Sequence, residues 1–202
     1  MDFKFLFNAN EKESMKDLQK MGAIKDCLIN EELGTNYLGI NKEHLPVLLV
    51  LDSMITIKER NSSMKVHIED YLREYRNKVI EGIIAKHENG TSAYTKVDIN
   101  IDKLKCLSSA VYLELEGNKI KKYKAAIGGS DITPFRLYEI ENLAVGKEIE
   151  YLNKEKTVNM LRENVSIKIK NKTNTDVGKD IIGKIYKDTL NNALNRVKEK
   201  ID

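Results

Sequence analysis

Tryptophan is absent from this sequence, cysteine and proline occur twice each, and histidine occurs three times. These scarcities exclude several chemistries. Cys27 and Cys106 stand far apart, without the spacing of a metal site or a redox pair, which fits a chain kept in a reducing compartment. Both are read as small core or surface residues. His44, His67 and His87 fall at no helical or hairpin ligand spacing, so neither a metal centre nor a histidine-based triad is indicated. No serine sits in a nucleophile-elbow context, and no carboxylate pair stands out among the many acids. The longest apolar run, Leu45 to Leu51, contains Pro46 and is too short to span a bilayer. The opening residues, MDFKFLFNANEKES, lack the apolar core of a secretory signal, so the expected location is the cytoplasm. An excess of one charge over the other is lacking as well. The net charge is +3, and lysines and acids interleave along the chain, so nothing supports a nucleic-acid face.

What the sequence does hold is a folding composition. The 202 residues are 41% apolar and 32% charged, enough for one core or two small ones. Phe3, Phe5 and Phe7 alternate in the manner of a strand, Ser14 opens a helix, and Gly22 stops it. Pro46 sits where a buried helix begins, and Ile55 and Ile57 mark a following strand. Met64, Val66 and Ile68 repeat the alternation. Val79 to Ala85 and Ser92 to Val97 are two more strands, separated by Asn89-Gly90, the strongest hairpin signal in the chain.

The second half is easier to read. Ala110 to Leu115 and Lys119 to Ile127 form strands joined at Glu116-Gly117-Asn118. Pro134 starts an amphipathic stretch carrying Leu137, Ile140, Leu143 and Ala144, and Gly146 closes it. Val158 and Leu161 indicate a short helix. Asp176 caps a long one, from about residue 177 to 200, with Ile182, Ile185, Leu190, Ala193, Leu194 and Val197 on one side. The expected fold class is α+β: small antiparallel sheets with packed helices, the C-terminal sheet having about three strands covered on one face. Gly178, Gly183 and Lys184 match the phosphate-loop spacing. Ile185 stands where Ser or Thr must reach the magnesium, however, and the stretch lies inside a helical pattern.

The run AAIGGSDITPFRLYEIENLAVGKEI is more specific. Gly128, Gly129, Thr133, Pro134, Arg136, Gly146 and Lys147 resemble, without a gap, the C-terminal domain of the flavin-binding subunit of molybdenum hydroxylases, the class of xanthine dehydrogenase and aerobic carbon monoxide dehydrogenase. SSAVYLELEGNKIKKYK is similar to the family hairpin before the glycine pair, and YKDTLNNAL to its last helix. Upstream, the stretch HLPVLLVLDSMITIKERNSSMKVHIEDYL resembles the family's Leu-Pro helix and the strands after it. GTNYL resembles the loop that approaches the flavin.

The resemblance implies that residues 1–90 are part of a second FAD-binding subdomain and residues 91–202 a flavoprotein C-terminal domain. It implies FAD as cofactor, with Gly34, Thr35, Asn36, Gly128 and Gly129 as cofactor-binding candidates and no catalytic or metal-binding residue. It implies partner subunits carrying molybdopterin and iron–sulfur centres, and no nucleic-acid or membrane partner. The family subdomain that holds the flavin pyrophosphate has no counterpart in these 202 residues, so the expectation is weak FAD binding or none. Two functions follow: a component that passes electrons between iron–sulfur centres, FAD and an acceptor, and a non-catalytic docking or scaffold protein. A final expectation is that Gly128 or Gly129 takes a positive φ, to turn the chain before a helix beginning at Thr133-Pro134.

Overall fold

The computed structural model describes residues 2–5, 42–86 and 89–199. The expected helix between Ser14 and Gly22 and the loop holding Gly34, Thr35 and Asn36 lie outside the described residues. Among the described residues, two four-stranded antiparallel sheets carry the fold. In the first, β1 (Asp2–Phe5), β2 (Met54–Lys58), β3 (Ser63–His67) and β4 (Ile80–Lys86) lie in the order β1-β4-β2-β3. In the second, β5 (Thr91–Ile101), β6 (Leu104–Glu116), β7 (Lys119–Gly129) and β8 (Phe135–Arg136) follow one another in chain order.

The hairpin expected at Asn89-Gly90 is not formed. β4 pairs with β1 and β2, whereas β5 pairs with β6, so this segment carries the chain from one sheet to the other. Gly90 is required by proximity instead. A Cβ there would lie 2.4 Å from the Leu113 carbonyl oxygen, and the Gly90 amide donates to the Tyr112 hydroxyl at 3.0 Å. The β6–β7 hairpin does form where expected, with Gly117 at φ +60°. β5 and β6 make a second hairpin, whose turn uses Asn100 and Asp102 in the left-handed region that short polar side chains tolerate.

Among the described residues, five α-helices cover these sheets: α1 (Leu45–Val50), α2 (Ile68–Asp70, continuing as a π-helical turn Tyr71–Tyr75), α3 (Tyr138–Ala144), α4 (Glu155–Thr173) and α5 (Lys179–Glu199). One face of the second sheet, with Leu107, Val111, Leu113, Tyr123 and Ile127, packs against Ile140 of α3, the Val158, Leu161, Val165 and Ile169 stripe of α4, and Ile182, Ile185, Tyr186 and Leu190 of α5. Strand alternation sends Tyr94, Ala110, Tyr112 and Ala126 to the other face, where they join α1 and the first sheet's Ile55, Ile83 and Ala85 in a second core. The sheet is therefore covered on both faces rather than one. All six residues of α1 are buried, because the helix is enclosed between the two sheets.

Three helix boundaries differ from expectation. α3 begins at Tyr138 rather than at Thr133-Pro134. The chain first completes β8, pairing Ala126 with Arg136 and Ile127 with Phe135, and the Leu137 amide donates to Ala125. α4 is 19 residues long rather than short, its apolar stripe being sparse among charged neighbours. α5 begins at Lys179 rather than at an Asp176 cap. Asp176 instead faces Lys170 at 3.8 Å, and the Gly178 carbonyl accepts from the Ile181 and Ile182 amides. Gly183 lies inside α5, away from any strand-to-helix turn.

Candidate functional site

The residues of the glycine-pair run converge on the seam where α1 lies on the second sheet. Neither Gly128 nor Gly129 has a positive φ; both continue β7 as ordinary strand residues, which overturns the expected turn. The reason for glycine is close approach. A Cβ on Gly128 would stand 2.8 Å from Pro46 Cγ and 3.1 Å from Pro134 Cβ, and one on Gly129 would stand 2.3 Å from the Cys106 carbonyl oxygen. Gly128 faces the same way as Ala110 and Ala126, and these small residues let the first turn of α1 seat on the strands. The chain turns at Ser130 to Ile132 instead, where the Ser130 hydroxyl accepts from the Lys105 amide at 2.9 Å.

Beside this contact lies a network of four charges. Arg136 donates through Nε to Glu141 Oε1 at 2.8 Å and through Nη2 to Glu141 Oε2 at 2.5 Å, a bidentate pair. Its Nη1 donates to Asp52 Oδ1 at 2.8 Å, and Lys124 Nζ donates to Asp52 Oδ2 at 2.6 Å. Glu141 Oε1 also accepts from the Ala125 amide at 3.0 Å. The side chains of Arg136, Glu141 and Lys124 are 9%, 6% and 6% exposed, so their charges are compensated by one another rather than by water.

Asp52 ties this network to α1. It stands just past the helix in the left-handed region, φ +44°, with its amide on the Leu49 carbonyl and the Ser53 amide on the Leu48 carbonyl. This is the Schellman ending, in which glycine is the usual occupant and a carboxylate meets the negative end of the helix dipole. Asp52 holds the position because Lys124 and Arg136 face it. Burial acts to raise its pKa, but the Lys124 hydrogen bond and the charges of Lys124 and Arg136 prevail and hold it below the usual aspartate value. Arg136 is likewise driven above the ordinary arginine range. Its burial works against this, and the Glu141 hydrogen bond and charge overcome it.

Two further polar side chains of the seam meet at Glu43. Cys106 Sγ approaches Glu43 Oε2 at 3.5 Å, while Lys96 Nζ bonds Glu43 Oε1 at 3.0 Å. Burial and the Glu43 charge push the Cys106 thiol up to about 11, which leaves it a poor nucleophile at neutral pH. On the helical side of the sheet, the Tyr123 and Tyr186 hydroxyls meet at 2.9 Å in full burial. Among the described residues, no group of three or more His, Cys, Asp or Glu side chains could hold a metal ion, and no helix is long and apolar enough to cross a membrane.

The cofactor that the resemblance implies would find the side-chain positions of Gly128 and Gly129 already filled by the protein itself. The volume beside Gly128 is taken by Pro46 and Pro134, and that beside Gly129 by the backbone at Cys106. The structure brings Gly128 and Gly129 together at the end of β7, while Gly34, Thr35 and Asn36 lie outside the described residues. The sequence shows Arg136 within the run but not its partners Asp52 and Glu141, nor Lys124, which shares Asp52 with it. Asp52 and Glu141 carry no local signal among the chain's 31 acidic residues, nor Lys124 among its 34 lysines and arginines.

Comparison with known proteins agrees with this architecture. The fold defined by the second sheet and its helices is that of a flavoprotein C-terminal domain: residues 92–177 match the family described as the CO dehydrogenase flavoprotein C-terminal domain. Over these residues the chain is a relative of the flavoprotein subunits of molybdenum hydroxylases. No curated protein matches its sequence significantly. Among solved structures, it resembles a chain of the carbon monoxide dehydrogenase from Hydrogenophaga pseudoflava that lacks the Mo-pyranopterin moiety (TM-score 0.55, 15% identity, covering 76% of this chain and 56% of that one). It also resembles the cyanide-inactivated Cu,Mo-CO dehydrogenase (TM-score 0.56, 16% identity, 75% and 56% covered). A third likeness is to quinoline 2-oxidoreductase from Pseudomonas putida 86 (TM-score 0.53, 12% identity, 77% and 55% covered). The matched part thus spans little more than half the length of each of these chains.

Proposed function

We propose that this chain is a flavin-subunit-like component of a molybdenum hydroxylase, taking part in electron transfer between iron–sulfur centres, FAD and an acceptor, with FAD binding weakened or lost. The supporting observation is the glycine-pair run, which forms the seam between α1 and the second sheet; this reading takes residues 91–202 as the C-terminal domain and residues 1–90 as a partial second FAD-binding subdomain. The change from the first sheet to the second between Lys86 and Thr91 supports that boundary. Partners on this reading are subunits carrying molybdopterin and iron–sulfur centres, in the cytoplasm. FAD, when bound, would supply the redox chemistry; this chain's own residues would position it through Gly34, Thr35 and Asn36, with Gly128 and Gly129 holding the neighbouring strand.

Weak FAD binding is supported by the filled volume at both glycines of the pair. Each charge-assisted donor withheld from a pyrophosphate removes about 1.5–3 kcal/mol, and about 1.4 kcal/mol is tenfold in affinity. Titrating the purified chain with FAD while following flavin fluorescence tests this. The expected result is micromolar or weaker binding; stoichiometric binding well below about 1 μM would overturn it. Co-expression with molybdopterin and iron–sulfur subunits tests the assembly. A colourless chain that still co-purifies with them would instead favour the docking or scaffold role.

A further inference from the structure

Two lysines lie over one aromatic ring, and an arginine from a distant part of the chain stands beside them. Arg76, at the end of the π-helical turn after α2, donates through Nη1 to Thr133 Oγ1 at 3.1 Å. Lys168 and Lys172, one turn apart on α4, place their ammonium groups 5.3 Å and 5.5 Å from the centre of the Phe135 ring. Neighbouring cations are neutralised: Lys170 faces Asp176 at 3.8 Å and Lys179 bonds Glu163 at 2.5 Å. Arg76, Lys168 and Lys172 have no carboxylate within ion-pair distance among the described residues. Like charges four residues apart on a helix repel, and here the fold adds a third. The ammonium of Lys172 is accordingly held below the ordinary lysine range, by burial first and then by the charges of Arg76 and Lys168.

We propose that Arg76, Thr133, Phe135, Lys168 and Lys172 form a docking site for an acidic segment of another protein chain. The complementarity is one of charge and shape together. A carboxylate set between the lysines would relieve their repulsion, the Thr133 hydroxyl keeps its proton to donate, and Arg76 has N–H groups to spare. An aromatic ring flanked by arginine and lysine offers an apolar anchor within a charged rim, the composition of a protein interface. All three side chains reach solvent, the Lys172 ammonium being partly shielded, whereas small-molecule ligands are held in concave pockets that bury most of their surface. The site therefore favours an extended acidic peptide over a small free anion.

The probe is a fluorescein-labelled hexaglutamate peptide, titrated with the full chain at low ionic strength and followed by anisotropy. Saturable binding is expected, weakened about tenfold by Lys168→Gln/Lys172→Gln, weakened by Arg76→Gln, and retained by Lys168→Arg/Lys172→Arg. The control Lys103→Gln/Lys105→Gln removes the same charge from the β5–β6 hairpin and should leave binding unchanged. Thermal melts verify folding, and Lys172→Gln should melt no lower than the parent because it removes a repelled charge. The proposal is overturned by absence of saturable binding, by equal weakening in the control, or by displacement of the peptide by inorganic phosphate at equal charge concentration, which would identify a small-anion site.

Discussion

Gly128→Ala tests the reasoning about the seam most directly, because two explanations of that glycine predict different behaviour. If glycine served a left-handed turn, alanine would strain the backbone wherever its methyl group pointed. The observed strand conformation removes that cost, and the methyl group instead meets Pro46 Cγ at 2.8 Å and Pro134 Cβ at 3.1 Å. Proline rings cannot rotate away, so α1 or the strand must shift, and such overpacking costs about 1–3 kcal/mol. Gly129→Ala should cost more, at or above the upper end of about 1–3 kcal/mol, because its methyl group meets the Cys106 backbone carbonyl at 2.3 Å. Urea unfolding of the single variants and of Pro46→Ala/Gly128→Ala decides the cause. Removing the Pro46 ring should restore about 1 kcal/mol, a coupling expected of side chains in contact. Gly146→Ala supplies the contrast: at φ +78° with no atom within 4 Å, it should cost about 1 kcal/mol through the backbone alone and show no coupling to Pro46. An additive Pro46/Gly128 pair would refute the close-approach account.

Arg136→Met should destabilise the protein by about 3–5 kcal/mol in urea unfolding, since it leaves Glu141 buried without its bidentate partner. A loss under about 1 kcal/mol would mean the pair is solvated. The lowered Asp52 pKa gives a pH dependence of definite sign. Its contribution is complete above the ordinary value of 3.8 and is lost as pH falls through the lower folded value, so Asp52→Asn should flatten the acid limb of a stability–pH curve. An unchanged limb would remove Asp52 from the account. Tyr186→Phe should cost about 1–3 kcal/mol by leaving the Tyr123 hydroxyl buried without its partner, whereas Tyr123→Phe/Tyr186→Phe should recover most of that in thermal melts.

Local periodicity and turn chemistry were enough to reveal much of this protein. The strands at Ile55–Ile57 and Ala110–Leu115, the buried helix at Pro46, the turn at Gly117 and the stripe from Ile182 to Leu190 each depend on residues within a few positions of one another, and the sequence carries them openly. The run from Gly128 to Lys147 pointed by resemblance to the flavoprotein C-terminal domain, which the match over residues 92–177 supports. Partnership at long range was decided by tertiary structure. Asn89-Gly90 has every local mark of a hairpin, yet β4 and β5 find lower-energy partners in different sheets. Gly128 and Gly129 read as a turn because glycine permits one, but a sequence does not record which atoms will occupy the space a missing Cβ leaves. Asp52 and Glu141 become partners of Arg136, and Lys124 of Asp52, only when α1, β7, β8 and α3 meet, and Lys168 and Lys172 reach Phe135 only when α4 packs beside β8. Hydrogen-bonding period is a property of neighbouring residues, whereas charge compensation and close approach are properties of the packed chain.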